Sequence, residues 1–240
     1  MIKTYYTPGG NRAAIYADIA KQTHVLIAGK TGSGKSVVIN GVIHALLVDN
    51  APGAVSFIMI DPKRVELYPY KFIPHCIAYA SEPGEPVKAL QYALRVIENR
   101  YKSMQQRRER KYTGGAVYVI IDELADLMTT ARREVLPLLQ RIAQIGRAAN
   151  VHIIAATQCP LTEIIPTPLK VNFDSIIGLK TATKQHSRNI IDRPGCEDLP
   201  PYGYGYYITP KGLSLEKLPM IPEKELDRVT NYWSRYKLRA

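Results

Sequence analysis

The stretch Gly29-Lys30-Thr31-Gly32-Ser33-Gly34-Lys35-Ser36 has the spacing of a phosphate-binding loop, G-x-x-x-x-G-K-[ST]. An apolar run, Val25 to Ala28, precedes it, and a helix-like run, Val37 to Leu47, follows it. A strand that ends and a helix that begins at one glycine-rich turn direct backbone N–H groups and the positive helix end to one point. The pattern therefore predicts a site for a nucleoside triphosphate, with ATP as the expected ligand.

Each residue type in this loop has a chemical reason. Gly29, Gly32 and Gly34 let the backbone wrap closely around phosphates, and Lys35 can reach the β- and γ-phosphate oxygens. The Ser36 hydroxyl is a candidate ligand for Mg²⁺. The remaining nucleotide contacts are expected from Lys30, Thr31, Ser33 and Val37.

A second acidic site is needed for hydrolysis, and residues 116–123 supply a candidate. The run 117–121 is continuously apolar, as in a strand buried on both faces, and it ends in Asp122 and Glu123. We expect Asp122 to complete the Mg²⁺ shell and Glu123 to polarise the attacking water. Two solvated acids at a strand end are the alternative, which the nearby phosphate loop disfavours.

The composition bounds the class of protein. A chain of 240 residues suffices for one large α/β domain. The sequence has no apolar stretch of membrane-spanning length and no signal-peptide core at its start, so it predicts a cytoplasmic protein without a membrane partner. Cys76, Cys159 and Cys196 lie far apart, which indicates neither a disulfide framework nor a zinc site.

The net charge of +11 is the most informative feature of the composition. So basic a surface is typical of proteins that bind nucleic acid. The segment from Arg95 to Lys111 carries seven basic and two acidic residues, and we expect Arg100, Arg107 and Lys111 along one flank of a long helix. A solvated basic face without any partner is the alternative for this segment.

Strand and helix patterns alternate along the chain. We predict strands at Ala14–Ile19, Thr23–Ala28, Val55–Ile60, Cys76–Tyr79, 116–121, Val151–Thr157 and Ser175–Leu179, and helices after Lys35, from Pro86 to about Arg110 and from about Arg133 to Ala149. This alternation predicts an α/β fold with a mainly parallel central sheet, flanked by helices, and a ligand site at the carboxyl ends of the strands.

The tail is less informative. In the segment 200–207, alternating glycine and tyrosine could form a stacking platform for a base, but a terminal strand is the better interpretation. We assign residues 1–210 to the main domain and residues 211–240 to a tail whose short helix packs on the domain or on a neighbouring subunit.

Eight motifs, in order, resemble the motor domain of the FtsK/SpoIIIE family of DNA translocases. They are HVLIAGKTGSGKS (24–36), FIMIDPK (57–63), VEL (65–67), IPH (73–75), IDELADLM (121–128), GRAANVH (146–152), AATQ (155–158) and SRNIID (187–192). The resemblance runs from about Ala14 to Tyr207. Phosphate-loop proteins in general share only the first and fifth of these motifs.

The resemblance implies a RecA-like P-loop ATPase that assembles as a homo-oligomer, a hexameric ring, around double-stranded DNA and moves it. Lys35, Ser36, Asp122 and Glu123 would have the roles given above. Gln158 would be a polar sensor of the γ-phosphate, and Arg147 and Arg188 match arginines near the subunit interface, where one can act on a neighbour's nucleotide. Each of these arginines could instead be a surface side chain paired with a carboxylate.

The departures from the family pattern leave other functions open. The family's membrane-spanning region and winged-helix module are absent from this sequence, Cys159 replaces a usual arginine, and Asn150 replaces a usual glycine. The chain is similar to compact versions carried by mobile elements and viruses. A conjugative coupling ATPase, a DNA-packaging ATPase, and a nucleotide-gated scaffold that binds a relaxase or recombinase are therefore alternatives.

Overall fold

The computed structural model describes residues 14–236, which form an α/β fold around one eight-stranded sheet. The strand order is β3-β2-β4-β5-β1-β6-β7-β8; β1 to β6 run parallel, and β7 and β8 are antiparallel additions at one edge. The strands are β1 (His24–Ala28), β2 (Val55–Ile60), β3 (Cys76–Ala80), β4 (Ala116–Ile121), β5 (Val151–Thr157), β6 (Ser175–Gly178), β7 (Tyr204–Thr209) and β8 (Gly212–Lys217). The predicted fold class is confirmed.

Helices cover both faces of the sheet and enclose two apolar cores. The helices are α1 (Ala14–Ala20), α2 (Lys35–Asp49), α3 (Glu85–Arg107), α4 (Leu124–Thr130), α5 (Arg132–Ile145), α6 (Thr167–Lys170), α7 (Lys184–Ile191) and α8 (Glu223–Ser234). Helices α1, α2 and α8 pack on one face, and α3, α4, α5, α6 and α7 pack on the other. None of the helices within residues 14–236 is long and apolar enough to span a membrane.

The strand prediction for Ala14–Ile19 is wrong, because this segment is helix α1. Tyr16, Ile19 and Ala20 are its buried residues, at the i, i+3, i+4 spacing of a helical face. The Tyr16 ring lies directly over Gly41 of α2, where any added Cβ would come within 2.5 Å of it. Packing of one helix on another therefore decides the conformation of this segment.

Arg100 does not belong to a solvated flank of α3, as the sequence suggested. Its guanidinium donates hydrogen bonds to the carbonyls of Ala149 (2.7 Å), Asn150 (2.9 Å) and Gly115 (2.7 Å), and it lies over the Tyr112 ring. These carbonyls stand where β4 and β5 begin, so Arg100 holds the two strand starts together. Helix α3 itself ends at Arg107, three residues earlier than predicted, with Arg108 in the left-handed region at φ 57°.

The tail is continuous with the main sheet. Strand β7 confirms that the segment 200–207 enters a strand, although the strand begins at Tyr204 and is not the terminal one. Strand β8, which the sequence did not suggest, follows it and pairs with it from Thr209↔Gly212 to Tyr204↔Lys217. The division after residue 210 therefore falls inside a β-hairpin. Helix α8 returns to α2, where the Trp233 indole N–H donates to the Leu47 carbonyl at 3.0 Å.

Candidate nucleotide-binding site

The phosphate loop connects β1 to α2 at the carboxyl edge of the parallel strands. Gly32 (φ 73°) and Gly34 (φ 96°) adopt left-handed backbone conformations that other residues rarely take, and α2 begins at the next residue, Lys35. A hydrogen bond from Ser33 N to Lys30 O closes the turn at 3.1 Å. The loop and the first turn of α2 thus present backbone N–H groups to one cavity.

Lys35 extends across its own loop. Its ammonium group donates hydrogen bonds to the carbonyls of Gly29 (3.0 Å) and Lys30 (3.1 Å). Burial lowers the pKa of this ammonium, while the carboxylates of Glu123 and Asp122 act in the opposite direction. The positive charge is therefore held between the loop and the two acids, where phosphate oxygens would meet it.

Asp122 follows β4, the second strand from β1 in the sheet, and its side chain is 8% exposed. Its pKa is raised to about 6, mainly by burial and also by the neighbouring charges of Asp61, Glu66 and Glu123, against the lowering effect of Lys63. Among residues 14–236, no group donates a hydrogen bond to this carboxylate. A buried carboxylate crowded by other acids and open to a cavity is suited to a cation.

The residues around this cavity fit Mg²⁺. Ser36 and Asp122 both line the cavity, and hydroxyl and carboxylate oxygens are ligands that Mg²⁺ prefers alongside phosphate oxygens and water. The described part of the chain contains no group of three or more histidine, cysteine or acidic side chains arranged to hold a metal by themselves. Mg²⁺ would therefore depend on the phosphates of the nucleotide for part of its coordination.

Glu123 is almost fully buried and is held by several donors. Its Oε1 accepts hydrogen bonds from Thr157 Oγ1 (2.9 Å), Gln158 N (3.1 Å) and Ala125 N (3.3 Å), the last of which caps α4. Its Oε2 lies 3.2 Å from Gln158 N and 3.9 Å from Lys63 Nζ. These contacts fix the carboxylate beside the phosphate loop. A base that orients the attacking water must occupy such a position.

Gln158 lies between the loop and this acid. Its Oε1 accepts a hydrogen bond from the Thr31 hydroxyl at 2.7 Å, while its backbone N–H donates to Glu123. The register pairs Ala28 of β1 with Thr157 of β5, which brings the ends of the two strands side by side. A continuous hydrogen-bonded path therefore runs from the phosphate loop through Gln158 to Glu123.

These residues share one cavity of about 710 Å³. Its lining includes the following residues of those predicted from the sequence: Thr31, Gly32, Ser33, Gly34, Lys35, Ser36, Val37, Asp122, Glu123 and Gln158. Gly29 and Lys30 are not part of the lining, but their carbonyls accept hydrogen bonds from Lys35. A side chain at position 29 would meet Ser33 Oγ at 2.6 Å and Leu179 Cβ at 2.7 Å, so the close approach there requires glycine.

Arg147 and Arg188 do not line this cavity. Arg147 follows α5 beside His24, at the amino end of β1, so the length of that strand separates it from the phosphate loop. Arg188 is an exposed residue of α7 that lines a separate surface depression with Asn189 and Asp192. Neither arginine therefore belongs to the cavity lining of its own chain.

Sequence reasoning missed Lys63 and Glu66 as members of the site. Both line the cavity, and Lys63 lies 3.6 Å from Asp126 as well as 3.9 Å from Glu123. A signal was available, because both residues follow β2, and the carboxyl ends of parallel strands meet at one edge of the sheet. The contribution of Tyr202, Leu218 and Met220 to the lining had no comparable signal.

The fold and the loop define a P-loop nucleotide-binding α/β protein. The sequence profile of the FtsK/SpoIIIE family matches residues 3–116 and 108–162, and the chain belongs to this family. The chain is 39% identical to the DNA translocase FtsK of Chlorobaculum tepidum, over 91% of this chain and 30% of that protein, and 35% identical to the FtsK of Rickettsia bellii, over 91% and 35%. The chain thus spans about a third of the length of these curated relatives.

Solved structures support the same fold. The cytoplasmic domain of the type VII secretion ATPase EccC from Thermomonospora curvata is similar with a TM-score of 0.77 and 22% identity, over 89% of this chain and 28% of that one. The pCW3 conjugation coupling protein TcpA, solved with ATPγS, has a TM-score of 0.77 and 21% identity, over 90% and 66%. The DNA-packaging ATPase B204 of Sulfolobus turreted icosahedral virus has a TM-score of 0.53 and 17% identity, over 83% and 98%.

Proposed function

We propose that this chain is an ATP-dependent motor that hydrolyses ATP with Mg²⁺ and moves double-stranded DNA, working in the cytoplasm as a hexameric ring. Membership of the FtsK/SpoIIIE family supports it, and one structural observation carries it. The phosphate loop, the unpartnered Asp122 and the fixed Glu123 line a single cavity.

Each residue has a defined task in the proposed hydrolysis. The loop N–H groups and Lys35 bind the phosphates, and Ser36 and Asp122 hold Mg²⁺, which supplies positive charge against the phosphate oxygens. Glu123 accepts a hydrogen bond from the attacking water and orients it toward the γ-phosphate. Because Thr157, Gln158 and Ala125 already fix the carboxylate, little reorganisation is needed when water arrives.

Gln158 is the proposed link between hydrolysis and movement. Its side chain contacts Thr31 of the phosphate loop, and its backbone contacts Glu123, so a change at the γ-phosphate alters both contacts. Two residues further on, the Pro160 carbonyl accepts a hydrogen bond from Asn189 of α7 at 3.0 Å. The segment after β5 therefore joins the nucleotide site to the helix that carries Arg188.

Part of the basic surface that the sequence predicted lies on two neighbouring segments of the fold. The segments 102–111 and 141–147, which we call the basic end, carry seven exposed basic side chains and one acidic one. Hydrogen bonds from Tyr101 to the Ile145 carbonyl (3.1 Å) and from Tyr112 N to the Ala148 carbonyl (2.8 Å) hold the two segments together. Among the described residues, none of the seven basic side chains forms an ion pair. Such a surface favours a polyanion such as DNA.

A ring would bring the two arginines near a second nucleotide site. Neither Arg147 nor Arg188 lines the cavity of its own chain, so in this proposal one of them acts on phosphate in a neighbouring subunit's site. An arginine supplied in trans stabilises charge in the transition state and couples hydrolysis to assembly. The proposal therefore includes an active site shared between subunits.

The rate of ATP hydrolysis with and without linear duplex DNA tests the motor directly. We expect strong stimulation by duplex and none in a Glu123→Gln control. Duplex should bind with little sequence preference, and the affinity should fall steeply between low and moderate salt. A slow rate that duplex leaves unchanged would contradict the motor and favour a nucleotide-gated scaffold that binds a relaxase or recombinase.

A further inference from the structure

The order of the strands gives the cavity two chemically different ends. Asp122 and Glu123 follow β4, on one side of β1, whereas Leu179 follows β6, on the other side. Residues 202–203, just before β7, and 218–220, just after β8, line the cavity on the β6 side. A triphosphate that points its γ-phosphate toward Asp122 therefore places the rest of the nucleotide against the segments that flank the β7–β8 hairpin.

Two large apolar side chains at this end of the cavity are exposed. Tyr202 and Met220 are each 68% exposed, and both line the cavity. Apolar side chains left open at a cavity mouth mark a surface that a ligand covers.

The backbone around these two side chains is anchored. Leu218 N donates to the Gly203 carbonyl at 2.9 Å, which ties the two segments to each other. The Tyr16 hydroxyl donates to the Pro219 carbonyl at 2.7 Å, and Ile221 is 5% exposed. Met220 thus stands between two fixed neighbours, and its exposure follows from the course of the backbone.

We propose that Tyr202 and Met220 form the binding site for the nucleotide base, with the base stacked on the Tyr202 ring and covered by the Met220 thioether. The inference rests on the proposed function, because it concerns the same cavity. It assigns a ligand contact to the segments that flank the hairpin, beyond the residues that carry the phosphate chemistry.

The chemistry of this end also predicts its selectivity. The charged and amide side chains of the cavity belong to the phosphate loop and to the segments that follow β2, β4 and β5, whereas Leu179 and Leu218 follow β6 and β8. Stacking on an aromatic ring is tolerant of base identity, because every base has a π-face. The site therefore accepts adenine and guanine nucleotides with similar affinity and binds the smaller pyrimidines more weakly.

Isothermal titration of the full chain with Mg²⁺ and three ligands tests the site: ATPγS, GTPγS and inorganic tripolyphosphate, which has no base. In Tyr202→Ala we expect the affinity for ATPγS to fall about 10- to 100-fold, the range for loss of one stacking contact, while that for tripolyphosphate stays unchanged. Tyr202→Phe should retain the affinity for ATPγS. Tyr232→Ala removes a tyrosine of α8 that lies outside the cavity, and it is the matched control.

Met220→Ala provides an independent test, with a smaller loss for ATPγS and again none for tripolyphosphate. An equal loss of both ligands in Tyr202→Ala would show a structural role and overturn the base site, as would an unchanged affinity for ATPγS. A preference of more than tenfold between ATPγS and GTPγS would overturn the stacking mechanism. If the unaltered chain bound neither ATPγS nor tripolyphosphate, the proposed function itself would fail, and the base site with it.

Discussion

Replacing Glu123 with glutamine separates the chemical role of this side chain from its structural one. Glutamine has the same shape, and its carbonyl oxygen can take the place of Oε1. It can therefore keep the hydrogen bonds from Thr157, Gln158 and Ala125. The exchange removes the negative charge and with it the ability to attract a proton from water.

The expected effects on folding and on catalysis differ in size. The structural loss falls on Oε2, because the amide NH₂ that replaces it keeps neither the attraction to Lys63, whose side chain is 45% exposed, nor the 3.2 Å contact with Gln158 N. Gln158 N can still donate to the retained oxygen, so the free energy of unfolding should change by about 1 kcal/mol. Loss of a general base slows the reaction by a factor on the order of 10² to 10⁴. That factor corresponds to about 3 to 5 kcal/mol of activation free energy.

The assay is the single-turnover rate of ATP hydrolysis, measured beside ATP affinity and urea unfolding. Glu123→Ala is the matched control, because it also deletes the cap of α4 and leaves the buried Thr157 hydroxyl with only its longer contact to the Cys159 carbonyl (3.4 Å), at a cost of about 1 to 3 kcal/mol in stability. A glutamine variant that hydrolyses ATP at a near-normal rate would refute the assignment. One that no longer binds ATP would show that Glu123 is structural.

Three further predictions concern charge. Lys35→Ala should lose ATP hydrolysis and bind nucleotide more weakly in titration calorimetry, because the cavity loses its fixed positive charge; near-normal turnover would contradict this role. Mixtures of Lys35→Ala with Arg188→Ala, or with Arg147→Ala, should recover ATPase activity that neither variant shows alone, because one variant supplies the arginine and the other the intact nucleotide site. Failure of both mixtures would reject a trans arginine, provided that cross-linking verifies mixed assembly. Arg107→Glu with Arg108→Glu should weaken duplex binding and reduce its salt dependence in anisotropy titrations, whereas an unchanged salt slope would leave the basic end a solvated face.

The sequence alone predicted the parts of the site that are local in the chain. Residues 29–36 carry their own geometry, because a strand, a glycine-rich turn and a helix start follow one another without a gap. Asp122 and Glu123 were found in the same way, because the first charged residues after a continuously apolar strand mark the end of that strand. Asp122 and Glu123 do line the cavity with the loop, although their chemical roles stay predictions.

Tertiary structure decided the features that depend on residues far apart in the chain. In the sequence, Arg100 looks like one more basic residue of a helix flank. Only the fold brings the carbonyls of Gly115, Ala149 and Asn150 beside it, so that its guanidinium links the starts of two strands. Segment 14–20 is a helix whose buried face packs on α2, and the identity of that packing partner cannot be read from the segment itself.

The nucleotide cavity combines both kinds of information. Its phosphate end consists of residues from two short motifs, the phosphate loop and the acidic end of β4. Its far end consists of residues 202–203 and 218–220, which belong to no recognisable motif. Hydrophobic burial and sheet register bring these segments together, and both are properties of the whole chain. The sequence alone therefore predicted the residues of the phosphate end. Only the tertiary structure showed which residues line the other end of the cavity.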